Sequence, residues 1–391
     1  MDILTPQDWS FPVPIRYGLE RSHEIALICQ ENDIKAPLLV TDRGSTGLDF
    51  ISRILDELEA AGLRVGLFAD ISPNPRDDEI MKGRAAFRDG DHDAVIAIGG
   101  GSGMDGGKAI SLVANNDHDL WAFEFEQEQP PVIGPGEAFP PLICIPTTAG
   151  TGAETESTAM VTDTKQMMKW CVWHAEQKPL AVILDPLLTV GLPRHLTAWT
   201  GIDAMVHAIE GYIVDDFHPL CDGAALEALK LITTYLPRAC DTPDDLEARG
   251  GMLVGSCLGG VAFIKGLGLV HAISHAAGAE FDTHHGLTNA VTLPAVMQFN
   301  ALVMADKTPH MARAMGLEDT SSDAFNAEIN RLLDSLDIPL TLKDLGVTED
   351  RIVPIAEKAI KDSAAGTNPR QATTEEIAAI ITTAMNTGRP I

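Results

Sequence analysis

Between residues 36 and 186 the chain returns five times to a short, unbroken apolar run: APLLVTD (36–42), LRVGLFAD (63–70), DAVIAIGGG (93–101), PLICIPTT (141–148) and PLAVILDP (179–186). Runs of β-branched and aliphatic residues without polar alternation belong to strands covered on both faces. Between the first two lies FISRILDELEAAG (50–62), apolar at helical spacing and closed by Gly62. Strand, helix and strand in that order pack as right-handed crossovers, which predicts a doubly wound, mostly parallel α/β sheet. After Pro193 the strand signals fade. HLTAWTGIDAMVHAIEGYI (195–213), GAALEALKLITTYL (223–236) and AFNAEINRLLDSLD (324–337) are helical by spacing and propensity. The expectation is an α/β domain over 1–189 and an all-helical domain over 190–391, divided in the turn-forming DPLLTVGLPRH.

Composition narrows the partners. Acidic side chains number 56 against 28 basic ones, a formal charge of −28, and such a field repels nucleic acid and anionic membrane surfaces. Six cysteines lie far apart with no CxxC pair, which argues against a zinc ribbon or disulfide framework and fits a reducing cytoplasm. The N-terminus, MDILTPQDWSFP, has no basic stretch followed by an apolar run, so no secretory signal is read there. The longest apolar window, Gly251 to Val270, is interrupted by Lys265 and several glycines. It reads as a buried helix rather than a membrane span.

Two glycine-rich stretches follow strands in the first half. DAVIAIGGGSGMDGGKAISL (93–112) runs from strand through Gly99, Gly100, Gly101 and Ser102 into a helix, which aims backbone N–H groups and the helix dipole at an anion such as phosphate. It is neither GxGxxG nor a P-loop, and a tight turn without ligand is the alternative. IPTTAGTGAETES (145–157) offers hydroxyls at Thr147, Thr148 and Thr151 beside close-approach glycines, suited to ribose or pyrophosphate, or simply a polar loop. Asp42, ending the first strand, is placed to accept from ribose hydroxyls and to repel a 2′-phosphate, favouring NAD over NADP.

In the second half, VHAISHAAGAEFDTHHGLTNA (270–290) holds His271, His275, His284 and His285 in apolar surroundings. GIDAMVHAIEG (201–211) puts Asp203 and His207 four apart on one helix face, as His271 and His275 are on another. A carboxylate with imidazoles is a ligand set for iron(II) or zinc, and a shared metal is an economical way to satisfy buried imidazoles. A cluster of hydrogen-bonded core histidines is the alternative.

At these residues the chain resembles the iron-containing (group III) alcohol dehydrogenases, over nearly its whole length. GGGSGMDGGKA looks like that family's GGGSxxDxAK, PTTAGTGAE like PTTAGTGSE, GIDAMVHAIEGY like GxDAxxHAIE, and GLGLVHAISHAAGAEFDTHHGLTNAVTLP like GLGxxHxxxHxxGxxxxxPHGxxNAxxLP; NPRQAT (368–373) fits a late NPR motif. The resemblance implies that Asp203, His207, His271 and His285 bind a divalent metal, iron(II) favoured and zinc possible, and that His275 stands beside the nicotinamide and relays a proton. It further implies that Gly99, Gly100, Gly101 and Ser102 hold the pyrophosphate and Asp42 the adenosine ribose. Asn74, Asp105, Thr147, Thr148, Thr151 and Lys169 would then line the rest of a cofactor cleft between the domains. The implied fold is the dehydroquinate synthase-like, iron-containing alcohol dehydrogenase fold, and a homodimer or higher homo-oligomer is the expected assembly.

Three positions depart from the pattern: Gly103 and His284 replace prolines, and Gly107 replaces an alanine. The expectation is looser loops with every ligand retained. In FIKGLG (263–268), Lys265 stands where relatives carry a small residue, and it is expected to put a cation near the substrate and favour a carboxylate-bearing one.

The implied activity is a metal-dependent NAD(H) alcohol dehydrogenase or aldehyde reductase (an NAD(P)-dependent oxidoreductase on CH–OH groups, EC 1.1.1). Hydride would pass between nicotinamide and a metal-bound small alcohol, with a hydroxyacid or semialdehyde as one candidate. A hydroxyacid–oxoacid transhydrogenase, or another enzyme of the fold using NAD as internal redox carrier, is the alternative. Dehydroquinate synthase fits less well, since the Asp-x-x-x-His and His-x-x-x-His pairs match the alcohol dehydrogenases. A metal sensor without turnover is disfavoured by the retained Lys108, Lys169 and His275.

Overall fold

The structure, a computed structural model, describes residues 13–127 and 129–389. The N-terminal stretch read above for a leader, residues 1–12, lies outside them. The chain divides into two compact units, one running to Val190 without Ala149–Gly152, the other comprising that four-residue segment and everything from Gly191 onward.

The first unit is built on eight strands: β1 (Ile15–Tyr17), β2 (Pro37–Asp42), β3 (Gly66–Ile71), β4 (Ala94–Gly99), β5 (Leu142–Pro146), β6 (Thr158–Asp163), β7 (Met168–Trp173) and β8 (Ala181–Leu184). Six form one parallel sheet in the order β1-β8-β5-β4-β2-β3. Each of the five predicted strands is in it. Helices α1 (Ile25–Glu31), α2 (Asp49–Ala60), α3 (Asp77–Asp89) and α4 (Gly101–Val113) supply the crossovers. The chain winds outward from β2 to β3, then returns to the other side of β2 with β4. Between the C-terminal ends of β2 and β4 the winding therefore reverses, and open α/β sheets bind ligands at such a point. Asp42 ends β2 and Gly99 ends β4.

Two elements were not anticipated. β1 has only three residues, too few to show a pattern. β6 and β7 pair as an antiparallel hairpin, and in β6 burial alternates residue by residue, a half-covered strand whose period of two is hidden beside the glycine and threonine motif.

Gly107 does not loosen α4, contrary to expectation. A Cβ there would stand 2.5 Å from Ala97 Cβ and 3.1 Å from Ala97 Cα, so its absence is what lets α4 lie on β4. Gly103, likewise inside α4, would push a Cβ to 2.7 Å from the Ile98 carbonyl.

The second unit is helical throughout its described residues: α5 (Arg194–Ile213), α6 (Pro219–Asp241), α7 (Leu246–Ala262), α8 (Leu269–Phe281), α9 (His285–Asn300), α10 (Thr308–Ala314), α11 (Ser322–Ser335), α12 (Ile352–Ala359), α13 (Ser363–Gly366) and α14 (Thr374–Asn386). Most of α5 is buried on every face, the mark of a central core helix rather than an amphipathic surface one. It packs against α6, α7 and α9. The window Gly251–Val270 is not one helix. α7 ends at Ala262, a short turn spans Phe263–Lys265, Gly266 takes φ 120°, and α8 leaves at 102° to the preceding segment. Among the described residues no single helix is long and apolar enough to cross a membrane.

Overpacking a tight helix–sheet contact costs about 1–3 kcal/mol. Gly107→Val should destabilise the α/β unit by that amount, read as earlier denaturant unfolding; unchanged stability would mean that α4 and β4 are not in this contact.

Candidate metal centre

Three helices bring the polar cluster together. α5 carries Asp203 and His207 one turn apart, α8 carries His271, and α9 begins at His285. One ligand atom from each of the four lies within 4.8 Å of every other. From Asp203 Oδ1 the Nε2 atoms of His285, His271 and His207 stand at 3.5, 3.9 and 4.0 Å. Gly286 makes this approach possible: a Cβ there would meet the Trp199 carbonyl at 2.5 Å and Asp203 Cβ at 3.0 Å.

The outward face of each imidazole is held, which fixes the tautomer and turns Nε2 inward. His207 Nδ1 donates to the Gly150 carbonyl at 3.2 Å. His271 Nδ1 donates to Glu210 Oε2 at 2.6 Å. At His285, the Ser274 hydroxyl gives its one hydrogen to the His285 carbonyl at 3.1 Å, so at Nδ1, also 3.1 Å away, it accepts. Burial pushes the His207 imidazole down to about 4, so it is neutral at working pH with its lone pair available. Its 4.0 Å approach to Asp203 is thus a shared site rather than an ion pair.

Glu210 does more than hold His271. It is 1% exposed, and it accepts from the backbone N–H groups of Val270 at 2.8 Å and His271 at 3.4 Å, at the start of α8. The late NPR motif serves the same helix end, with Asn368 Oδ1 accepting from Leu269 N at 3.2 Å. Asp203 and Glu210 are thus two buried carboxylates beside three imidazoles, a set that invites a divalent cation. One carboxylate oxygen and three imidazole nitrogens suit iron(II) or zinc. A buried orphan points the same way: Asn289 Oδ1 has no hydrogen-bond partner although Asn289 Nδ2 lies 2.7 Å from Asp203 Oδ1.

His275 stands beside the four. Its ring stacks on His285 with centroids 5.2 Å apart and 14° between planes. Its Nδ1 lies 2.9 Å from Asp362 Oδ2, while Asp362 Oδ1 caps α13 by accepting from Ala364 N at 2.9 Å. His284, in place of a proline, caps α9 by accepting from Leu287 N at 3.4 Å and packs on Trp199. That turn is held, not loosened.

Lys265 corrects an expectation. Its Nζ is 2.6 Å from Asp222 Oδ1 and 3.4 Å from the Tyr212 carbonyl, with the side chain 1% exposed. The cation is committed to an ion pair, so it supplies no counter-charge for a substrate carboxylate. Phe263, two residues earlier, packs over the His207 ring at 4.9 Å.

In the α/β unit, Asp42, Gly99, Gly100, Thr147 and Thr148 lie together at the switch point. Asp42 Oδ2 lies 2.8 Å from where a Cβ of Gly99 would stand, and its carboxylate accepts from Ser45 N at 3.0 Å and Ser45 Oγ at 2.8 Å. Thr147 N donates to the Gly99 carbonyl at 2.8 Å, and Thr148 lies against Gly100. Gly100 caps α4 and Gly101 opens it, with Ser102 Oγ donating to the Pro73 carbonyl at 2.5 Å. Asn74 Oδ1 receives Lys169 Nζ at 3.5 Å. Thr151 belongs to the segment grouped with the helical unit.

Behind the glycines, Lys108 is fully buried, donating to the Ala153 carbonyl at 2.7 Å and Glu156 Oε1 at 2.9 Å, with Asp105 Oδ1 at 3.7 Å. Burial alone would lower this lysine, but Glu156 and Asp105 hold it above its ordinary range. Burial raises Asp105 to about 6, against the pull of Lys108 and Lys169. Lys108 thereby pins the threonine-rich loop to α4.

Sequence reading passed over Glu210, Asn289 and Asp362. Glu210 was signalled, since it follows Asp203 by seven and His207 by three, on the same helical face. Asn289 follows His285 by four in the same way. Asp362 carried no local signal, being 87 positions from the histidine it meets.

Loss of the carboxylate behind a metal-binding histidine typically weakens metal affinity 10–100-fold. Glu210→Gln should release a bound divalent ion to chelator at correspondingly lower chelator concentration. Affinity equal to wild type would mean that the Glu210–His271 contact does not support ligation.

Comparison with known proteins gives the site a context. The sequence model described as "Iron-containing alcohol dehydrogenase" matches residues 12–186, and the one described as "Fe-containing alcohol dehydrogenase family, C-terminal" matches 197–385. The 1,3-propanediol dehydrogenase of Klebsiella pneumoniae is 37% identical over 362 residues, 90% of this chain and 92% of that one. The NAD-dependent methanol dehydrogenase of Bacillus methanolicus is 36% identical over 373 residues, 93% of this chain and 95% of its own. A crystal structure of 1,3-propanediol oxidoreductase superposes with TM-score 0.90 at 36% identity, covering 97% of this chain and all of that one.

Proposed function

The chain belongs to the iron-containing alcohol dehydrogenase family, and from that premise we propose that it is a metal-dependent, NAD(H)-linked dehydrogenase of small alcohols and diols, working in reverse as an aldehyde reductase. The observation that carries this reading is the convergence of Asp203, His207, His271 and His285, with the three imidazole Nε2 atoms on the side of the Asp203 carboxylate. Bound there, a divalent cation supplies Lewis acidity that lowers an alcohol's pKa. NAD supplies the hydride acceptor.

The chain's own residues do the rest. Glu210 and the Gly150 carbonyl hold two imidazoles in the ligating tautomer. His275, with Nδ1 anchored by Asp362, takes up the alcohol proton at Nε2 and passes it toward solvent, a task suited to an imidazole near neutral pH. Phe263, packed on His207, supplies an apolar wall. Gly99, Gly100, Gly101 and Ser102 receive the pyrophosphate at the start of α4. Asp42 receives the adenosine ribose, with Asn74, Asp105, Thr147, Thr148, Thr151 and Lys169 around the remainder of the dinucleotide.

NAD rather than NADP is supported by the neighbour of Asp42. Arg43 could have answered a 2′-phosphate, but its guanidinium is engaged by Asp70 at 2.7 Å and Glu79 at 2.8 Å. Iron(II) is the preferred ion, zinc the competitor. The six cysteines form no disulfide among the described residues, which suits a reducing compartment such as the cytoplasm.

Iron-loaded protein given NAD and a panel of ethanol, butanol, 1,3-propanediol and 4-hydroxybutyrate should produce NADH at 340 nm. Stripping the metal should abolish the signal and iron(II) should restore it; turnover by stripped protein would defeat the reading. His275→Ala should lower kcat about 10²–10⁴-fold, and Asp42→Gly should raise the NADP-to-NAD ratio of kcat/KM by about tenfold or more, roughly 1.4 kcal/mol. An unchanged ratio would remove Asp42 from cofactor choice.

A further inference from the structure

At the end of β2 two neighbouring residues send opposite charges in opposite directions. Asp42 faces the glycine turn that closes β4: a Cβ on Gly99 would stand 2.8 Å from Asp42 Oδ2, so only glycine keeps that cradle open. Arg43 goes the other way, over β3. Its backbone N–H donates to the Ile71 carbonyl at 2.9 Å, its Nε to Asp70 Oδ1 at 2.8 Å, and its NH2 to Glu79 Oε1 at 2.8 Å. Because β2 lies between β4 and β3, the carboxylate and the guanidinium stand on opposite sides of one strand.

In doubly wound folds a carboxylate near this position takes the ribose 2′-hydroxyl, and an arginine nearby takes a 2′-phosphate. A planar guanidinium is well matched to phosphate. This chain carries both residues side by side, so the grip on Arg43 decides which cofactor is served.

Two carboxylates hold it, and unequally. The side chains of Arg43 and Asp70 are each 50% exposed, and an ion pair in solvent is worth little. The Glu79 side chain is 3% exposed. Its Oε2 accepts from Ser72 N at 3.1 Å and Arg76 N at 3.2 Å, which fastens the turn between β3 and α3. Its Oε1 receives Arg43. Drawing the guanidinium away would leave a buried charge without the cation that meets it, a far larger cost than parting a surface pair.

We propose that Glu79 is a specificity-determining positioning residue: by holding Arg43 over β3, it withholds the guanidinium from a 2′-phosphate and so sets, with Asp42, the preference for NAD over NADP. The inference rests on the dinucleotide reading above and deepens it. Glu79 acts only through Arg43. The chain thus already carries the cation of an NADP site, restrained by one buried carboxylate. Glu79→Gln keeps an oxygen for the Ser72 and Arg76 N–H groups and turns an amide NH₂ toward Arg43, which releases it.

Dissociation constants for NADH and NADPH, titrated by cofactor fluorescence, read this without turnover. AMP and adenosine 2′,5′-bisphosphate repeat the comparison at the adenosine end alone. Wild-type protein should bind NADH more tightly than NADPH. Glu79→Gln should tighten NADPH about tenfold or more and leave NADH within about twofold. Adding Arg43→Ala to Glu79→Gln should remove the gain, and Asp70→Asn alone should change NADPH about threefold at most. An NADPH affinity unchanged by Glu79→Gln would overturn the proposal. So would a gain that survives Arg43→Ala, or a larger gain from Asp70→Asn than from Glu79→Gln. Should Glu79→Gln fail to fold, Arg43→Ala alone decides: unchanged NADPH affinity supports a withheld guanidinium, whereas weaker NADPH binding would show that Arg43 already reaches the phosphate. If wild-type protein bound neither NADH nor AMP, the dinucleotide reading itself would fall, and this proposal with it.

Discussion

A carboxylate with 2% of its residue surface exposed sits among the imidazoles of the helical unit. Asp203 faces three imidazoles and an amide, and Glu210, a second carboxylate, stands directly behind one of those imidazoles. Buried charge without compensation is among the most expensive arrangements a fold can hold. A divalent cation at the shared point would balance both carboxylates and give each Nε2 lone pair a partner. The helical unit is organised around that requirement: α5 is buried on nearly all sides, α9 is brought close by Gly286, and α8 starts at the Glu210 carboxylate.

The second organising constraint is positional. The parallel sheet reverses its winding between β2 and β4, and Asp42, Gly99 and Gly100 fall there because strand ends fall there. Lys108 holds the threonine loop to α4 from below through buried contacts to Ala153 and Glu156. Departures from the family pattern at Gly103, Gly107 and His284 strengthen local packing or capping. A glycine read only as flexibility in the sequence turns out to be a place where two backbones touch.

Much of this was legible beforehand for a physical reason. Five buried strands announce themselves as unbroken apolar runs, and Asp203, His207, His271 and His275 announce themselves by helical spacing. What escaped was either short or distant. β1 has three residues, and the β6–β7 hairpin lies beside a stronger motif. Asp362 meets His275 only through tertiary packing. Lys265 looked like a substrate-facing cation because charge is visible in sequence and its partner Asp222, 43 positions away, is not. The break between α7 and α8 was hidden because apolar composition does not distinguish one helix from two.

The central claim is that these helices exist to hold one ion. Anomalous diffraction at the iron edge from crystals grown with iron(II) tests it most directly. The account predicts a single strong peak per chain, about 2.0–2.2 Å from Asp203 and from the Nε2 atoms of His207, His271 and His285. No peak at that point, or a peak whose neighbours are other residues, would contradict it.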